Sequence, residues 1–452
     1  MKSALIYLIL IWSLGLPAIA LATDDAESII FENARLVDPA SGQASEPTSI
    51  GISQGRIVAL ETLSENATRV AANGRYLMPG LAEMHAHVPP ERAGTQHVHD
   101  TLLLYLAHGI TTIRGMLGEP SHLVLRQQLA DGDIVGPRLI TSGPSFNNRT
   151  IASPAAAVER VRAQHEAGYD LLKLHPGLWP DAFDAIRQTA DLLDMDYSGH
   201  ISIAVGLDRV LDSNQGSIDH LDGYGQSLVP ESHPLYGTDP GLFAIKLVDG
   251  MDEERIPALA ERTAAAGIAN VPTQSLIENW ATGDIEALMT RPAMRWVSAE
   301  TQTRWRTALA QIREGTTPAQ RQRYVDLRRT LIRGLYEADA LLLLGADAPQ
   351  ILNVPGDAIH HELEIYVASG LSPADALATG TTNVARYLDQ EGLYGCLKPG
   401  CVADLVLLNA NPLDQISNTR DIAGVMRAGR WFDRAMLDQM LEGVAERAAG
   451  KS

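Results

Sequence analysis

Cysteine is nearly missing from this chain of 452 residues: there are two, Cys396 and Cys401, both in Gly395-Cys396-Leu397-Lys398-Pro399-Gly400-Cys401. Neither reads as a nucleophile. In an oxidising compartment a small disulfide across the Pro-Gly turn would suit them. Two free thiols are the alternative, because spacing does not supply the geometry a bridge requires. Positive charge is also short. Lys and Arg number 36 against 55 Asp and Glu, a formal net charge of −19, which argues against nucleic acid or an anionic membrane as partner. Repeats and low-complexity tracts are absent. With 45% apolar residues a sizeable core can be buried, which excludes wholesale disorder. The length suits one large domain plus a smaller one.

The N-terminus reads as a removable segment. Lys2, the apolar run from Ala4 to Trp12 and the small step Ala20-Leu21-Ala22 are the parts of a secretory signal peptide. Gly15 and Pro17 break the run, which favours cleavage after Ala22, removing residues 1–22, over a retained membrane anchor. No cysteine for lipidation sits at the cut, and no twin arginine precedes the run. A periplasmic or secreted protein without a membrane anchor is expected.

From Ile29 to Leu77 short apolar runs alternate with turn residues, and Ser53-Gln54-Gly55 reads as a hairpin turn. The same texture returns in Ala403 to Leu408 and Ile422 to Trp431. One β-sandwich built from residues 23–78 and 393–440 is the economical inference, with the middle of the chain inserted into it. Residues 79–392 alternate strand and helix, which calls for parallel βα units. Runs around His85, Ile113, Ile140, Leu172, Ser198, Ile218, Ala269 and Leu343 count as eight strands. The fold class is therefore α/β, a (β/α)8 barrel of the TIM type, with its site at the C-terminal strand ends. Between Ser275 and Ala338 the chain is longer than one helix needs. Residues 276–316 read as a helical insertion whose Trp280, Trp296 and Trp305 either cap the barrel mouth as a lid or form a small core of their own.

The chemistry gathers at the strand ends. Leu81-Ala82-Glu83-Met84-His85-Ala86-His87 follows a Pro-Gly bend, and alternation along a strand puts both imidazoles on one face, where they can grip a divalent metal. A bare H-x-H is a cheap pattern; His97-Val98-His99 has it with no strand leading in. Lys173, His200, His220 and Asp347, however, also lie late in their own apolar runs. Four imidazoles, one carboxylate and one lysine meeting at a barrel mouth suit Zn2+ and are compatible with Mn2+, Co2+ or Fe2+. Arg114 could bind a substrate carboxylate or form a salt bridge inside the barrel. His175 shares the face of Lys173, and Tyr224 is a further substrate-binding candidate. His360 and His361, with Glu362, could face the substrate or simply open a helix.

The order H-x-H, Lys, His, His, Asp over these strands resembles the amidohydrolase superfamily of metal-dependent hydrolases. Leu77-Met78-Pro79-Gly80-Leu81-Ala82-Glu83-Met84-His85-Ala86-His87 is similar to its most recognisable motif, and Gly400 to Val406 to its closing signature. The likeness spans nearly the whole chain after residue 22 and is nearest to the imidazolonepropionase-like branch, which includes Xaa-Pro dipeptidases. The resemblance implies two divalent metal ions. His85, His87 and Asp347 would hold the more buried one, and His200 and His220 the more exposed. Lys173 would bridge them after carboxylation by CO2, since an ammonium cannot ligate a cation. Asp347 would also take a proton from the attacking water and pass it to the leaving nitrogen. The expected activity is hydrolysis of a C–N bond in a small amide, dipeptide or cyclic amide. Esters, lactones and phosphotriesters are rival substrates for the same site, and a non-catalytic metal-binding scaffold is a rival of another class. A homo-oligomer is compatible with all of these.

Overall fold

The computed structural model describes residues 28–450. The expected signal peptide lies outside them. Six strands come first: β1 (Ile29–Asp38), β2 (Gln43–Ala44), β3 (Thr48–Ser53), β4 (Arg56–Val58), β5 (Thr68–Ala71) and β6 (Tyr76–Pro79). Seven parallel strands alternate with helices through the middle: β7 (Leu81–Ala86), β8 (Ile110–Gly115), β9 (Arg138–Thr141), β10 (Leu171–Leu174), β11 (Asp196–Gly199), β12 (Ser217–Asp219) and β13 (Ala269–Val271). The chain ends with β14 (Leu405–Leu408), β15 (Ile422–Arg427), β16 (Arg430–Asp433) and a helix, Arg434–Ala448.

Both ends of the chain share one nine-stranded sheet, ordered β16-β15-β14-β6-β1-β3-β4, with β2 and β5 also paired to β1. The seam is β6 antiparallel to β14, with Leu77 opposite Leu407. β1 serves both halves. Ile29 to Phe31 pair with β3 and β5, whereas Arg35 and Leu36 pair with β6. Between them Asn33 adopts φ 58°, a left-handed conformation that Asn tolerates better than most residues. Where the sequence suggests two packed sheets, the structure has one continuous sheet that bends where β1 changes partners. Its halves close over a common core of Phe31, Ile50, Ile52 and Ile57 with Leu77, Leu405, Leu407 and Met426. Phe31 meets Trp431 edge-on, ring centroids 4.9 Å apart. Cys396 and Cys401 are bonded to each other at the margin of this core.

The middle strands form a three-stranded sheet, β7-β8-β9, and a four-stranded one, β10-β11-β12-β13. Single bridges, Ser142 to Leu171 and Phe146 to Leu174, carry the pairing from the end of β9 to β10. Asn270 bridges to Leu342, and Ala348 bridges back to Ala86 of β7. Met84 N donates to Leu344 O at 2.7 Å and Asp347 N to His85 O at 2.8 Å. The hydrogen bonding thus returns to the strand it started from. The expected eighth strand is an extended segment rather than a regular strand, for a local reason: Asp347 has φ 60°, which interrupts a ladder. Gly345 lets this segment approach closely, since a Cβ there would stand 2.7 Å from the His85 nitrogen. β7, β8 and β10 are buried along their whole lengths, as parallel strands covered on both faces must be.

The stretch read as a helical insertion folds as the helices Gln274–Ala281, Ile285–Met289 and Ala299–Ile312, followed by the long helix Pro318–Glu337. Trp280, Trp296 and Trp305 pack around a small separate core of Met289, Met294, Leu309 and Leu352, which also takes Val444 from the C-terminal helix. For Trp296 and Trp305 their own core is the arrangement observed, whereas Trp280 packs both on it and against the main core, its ring 5.4 Å from that of Phe243. Among the described residues no helix is long and apolar enough to cross a membrane.

Candidate metal centre

The candidate ligands all sit where parallel strands end. His85 lies in β7 and His87 just beyond it, Lys173 in β10, His200 one residue past β11, His220 one past β12, and Asp347 in the extended segment that closes the circuit. The imidazoles form a chain: ring centroids are 5.4 Å apart for His87 and His85, 4.4 Å for His85 and His220, and 4.4 Å for His220 and His200. Asp347 Oδ1 is 2.7 Å from His87 Nε2 and 3.6 Å from His85 Nε2, and its Oδ2 is 3.9 Å from His220 Nδ1. His85, His220 and Asp347 offer ligand atoms that all lie within 4.8 Å of one another. Solvent reaches the cluster at His87 and His200, whose side chains are 17% and 13% exposed, while His85 and His220 are 1% exposed.

Behind the imidazoles stands a set of acceptors that orients them. His85 Nδ1 lies 2.8 Å from Asp219 Oδ2, His200 Nδ1 2.7 Å from Asp222 Oδ2, and His220 Nδ1 2.8 Å from Thr273 Oγ1. A carboxylate partner keeps the proton on Nδ1, so His85 and His200 present the Nε2 lone pair. Burial, and next the charge of Lys173, holds the His85 imidazole well below its usual pKa. Burial, and next His200, does the same to His220. Neutral imidazoles are the form that binds metal. Lys173 is fully buried. Its Nζ has no hydrogen-bond partner among the described residues and lies 3.7 Å from Asp219 Oδ2. Burial lowers its pKa, and the charge of Asp219 opposes the shift. Gly199, φ 128°, leaves the room it occupies: a Cβ there would lie 3.2 Å from Nζ. The backbone is strained where the site is built. His220, Thr273 and Asp347 have φ of 63°, 47° and 60°, which costs about 1–3 kcal/mol each and is characteristic of functional positions.

Residues 76–432 match the family model described as "Amidohydrolase family". The chain belongs to the amidohydrolase family. It is accordingly a metal-dependent hydrolase acting on carbon–nitrogen bonds. The ochratoxinase of Aspergillus niger is 23% identical over 472 aligned positions, covering 92% of this chain and 89% of that protein. Among solved structures, a bottromycin amidohydrolase matches with TM-score 0.73 and 23% identity over 94% of this chain and 91% of its own. A Xaa-Pro dipeptidase with methionine in its active site matches with TM-score 0.65 and 18% identity over 90% and 100%.

Several side chains expected in the pocket of this amidohydrolase serve elsewhere. Arg114 is locked inside the barrel: Nε donates to Met84 O at 2.7 Å, Nη1 to Tyr387 Oη at 2.8 Å and Nη2 to Ser217 Oγ at 2.9 Å. It also lies 3.5 Å from Asp219, so it is the internal ion pair and not a substrate anchor. Tyr224 is fully buried, its hydroxyl between Thr263 Oγ1 at 3.0 Å and Asn270 Oδ1 at 2.9 Å, which leaves it nothing to offer a substrate. His360 is held by Thr419 Oγ1 at 2.9 Å and His108 O at 3.1 Å, on the helix Asp357–Ala368 and away from the cluster. His361 takes its electrostatic neighbours from Arg291, Glu364 and Glu278 rather than from the cluster. His175 does join the site, its ring 5.2 Å from that of His200. Burial, then Lys173 and His200, pushes its pKa down to about 2.

Four contributors were not anticipated: Asp219, Asp222, Thr273 and Arg328. Asp219-His220-Leu221-Asp222 carries a readable signal, acids beside a candidate ligand. Arg328 is buried on the helix Pro318–Glu337, donating Nη1 to His220 O at 2.9 Å, Nη2 to Pro272 O at 3.0 Å and Nε to Gln274 Oε1 at 2.7 Å. Nothing local in the sequence announces it. Glu362 accepts from Gln274 N at 2.8 Å and Ser275 N at 2.6 Å, capping the helix that follows Thr273.

Proposed function

We propose that the chain forms a barrel of the (β/α)8 type, closed by the extended segment around Asp347, that holds two divalent cations, Zn2+ first and Mn2+, Co2+ or Fe2+ as substitutes, and hydrolyses the C–N bond of a small amide, dipeptide or cyclic amide. The observation that carries the reading is the Lys173 amine, fully buried and without a hydrogen bond beside the imidazole chain. Burial lowers the pKa of this amine, with the carboxylate of Asp219 opposing the shift, and so favours the deprotonated form that is nucleophilic. A neutral amine adds through nitrogen to the carbon of CO2 and releases one proton, leaving a carbamate anion on Lys173. That anion supplies the missing acid ligand between the two sets of histidines. His85, His87 and Asp347 would hold one cation, His200 and His220 the other, and carboxylated Lys173 both.

Bound there, the cations would bring the pKa of a water towards neutrality and polarise the substrate carbonyl. The protein's own groups do the rest. Asp219, Asp222 and Thr273 occupy the Nδ1 atoms and aim the imidazoles. Asp347 receives the proton of the attacking water and delivers it to the departing nitrogen. Similarity to a Xaa-Pro dipeptidase and to a bottromycin amidohydrolase supports an amide substrate. The basic, apolar and small-residue order of residues 1–22 and the Cys396–Cys401 bond support a periplasmic or secreted location.

The test is metal content by mass spectrometry together with a substrate panel of N-acyl amino acids, dipeptides including Xaa-Pro, lactones and phosphotriesters. Two metals per chain and turnover of an amide are expected. A chain that retains no metal, or that turns over only lactones or phosphotriesters, overturns the reading.

A further inference from the structure

Beside the imidazole chain stands a pair of rings for which the hydrolytic step has no use. Phe243 lies against His220 with ring centroids 5.4 Å apart, and against Trp280 at a further 5.4 Å. Both aromatic residues are only part-buried. Their surroundings are built to hold them. Phe243 and Ala244 have φ of 49° and 66°, left-handed for residues that carry a Cβ, and such strain gathers at ligand clamps. The Tyr324 hydroxyl donates to the Phe243 carbonyl, while Arg328, one turn along the same helix, holds the His220 carbonyl. One helix therefore sets both the imidazole and the ring that covers it. Trp280 rides on the helix Gln274–Ala281, directly after the Thr273 that contacts His220. Its indole Nε1 is buried with no acceptor among the described residues. Buried donors almost always find a partner, so this one is left for an incoming oxygen.

We propose that Phe243 and Trp280 form a subsite for a phenyl-sized flat ring of the substrate, attached next to the scissile amide, with a neighbouring substrate oxygen accepting from Trp280 Nε1. This rests on the amide-hydrolase reading of the adjoining cluster. Aromatic rings add directional packing to the gain from burying their apolar area, so the subsite should discriminate strongly between phenyl and methyl.

The experiment uses matched pairs, N-acetyl-L-phenylalanine against N-acetyl-L-alanine and phenylacetylglycine against acetylglycine, on the metal-loaded full chain. Rates are read as kcat/KM, and dissociation constants are read by calorimetry in the Asp347→Asn background, where turnover does not interfere. In at least one pair the phenyl member should win by about tenfold or more. Phe243→Ala should bring that ratio to within about threefold, and Trp280→Phe should weaken the phenyl member's binding. Phe243→Leu keeps bulk and loses the ring, so it decides the matter if the alanine variant fails to fold. Equal treatment of both members by the unaltered chain, or an unchanged ratio in both Phe243 variants, overturns the proposal. A phenyl preference in binding that vanishes with Phe243, without hydrolysis of any pair, would keep the subsite and sink the amide reading. Hydrolysis without phenyl preference would sink the subsite alone.

Discussion

A histidine two residues from another on a strand has little choice of direction, and His85 and His87 were legible for that reason. Asp347 was legible as the acid ending its apolar run, although its left-handed backbone was not. Replacing it tests its role: Asp347→Asn should leave the melting temperature within a few degrees and abolish turnover, read by activity beside circular dichroism. Retained activity would remove it from catalysis. Thr273 was invisible in the sequence, since a threonine becomes an imidazole's partner only when the ends of β12 and β13 lie side by side. Thr273→Val should weaken metal retention about 10–100-fold, measured by chelator competition. Arg114 had two readings, substrate anchor or buried ion pair, and a sequence cannot choose between them because Ser217 and Tyr387 lie 103 and 273 residues away. Arg114→Met should cost about 3–5 kcal/mol by leaving Asp219 buried beside fewer donors. If denaturant unfolding shows no loss while KM rises, the anchor reading returns.

Among elements, βα alternation was readable because apolar periods of two and of three to four residues are local properties of the chain. The function of the helix Gln274–Ala281 was not. Its first turn is capped by Glu362, a fully buried carboxyl whose pKa burial raises from 4.5 to about 7. A carboxyl with a folded pKa above its unfolded one penalises the fold once it ionises. Its favourable contribution is therefore complete below about pH 4.5 and is lost as pH rises through about 7, a change of roughly 3 kcal/mol. Glu362→Gln should flatten this part of the stability profile, measured by denaturant unfolding from pH 4.5 to 8. An identical slope in the variant would place the ionisation elsewhere. The closing segment makes a comparable point. Gly345 has no local turn signal, yet any side chain there would press on His85.

In the whole molecule, the two chain ends meet in one sheet at the β6–β14 seam, which ties the strand entering His85 to residues more than three hundred positions later. Leu407→Ala empties a fully buried site beside Leu77 and should cost about 2–5 kcal/mol, read as a lowered denaturation midpoint with metal content preserved. That both ends contribute strands was evident from their alternating texture. That they form a single bent sheet was not, because it depends on β1 exchanging partners at Asn33. By itself the sequence determined which side chains stand at the strand ends, since pleat and helical period are set by neighbours along the chain. Only the tertiary structure decided what each side chain touches there: Arg114 turned inward, Tyr224 and His360 spent on internal hydrogen bonds, Phe243 brought against His220 and Trp280 against Phe243. Those outcomes depend on residues tens to hundreds of positions apart, whose meeting is a property of the closed circuit of strands and not of any one of them.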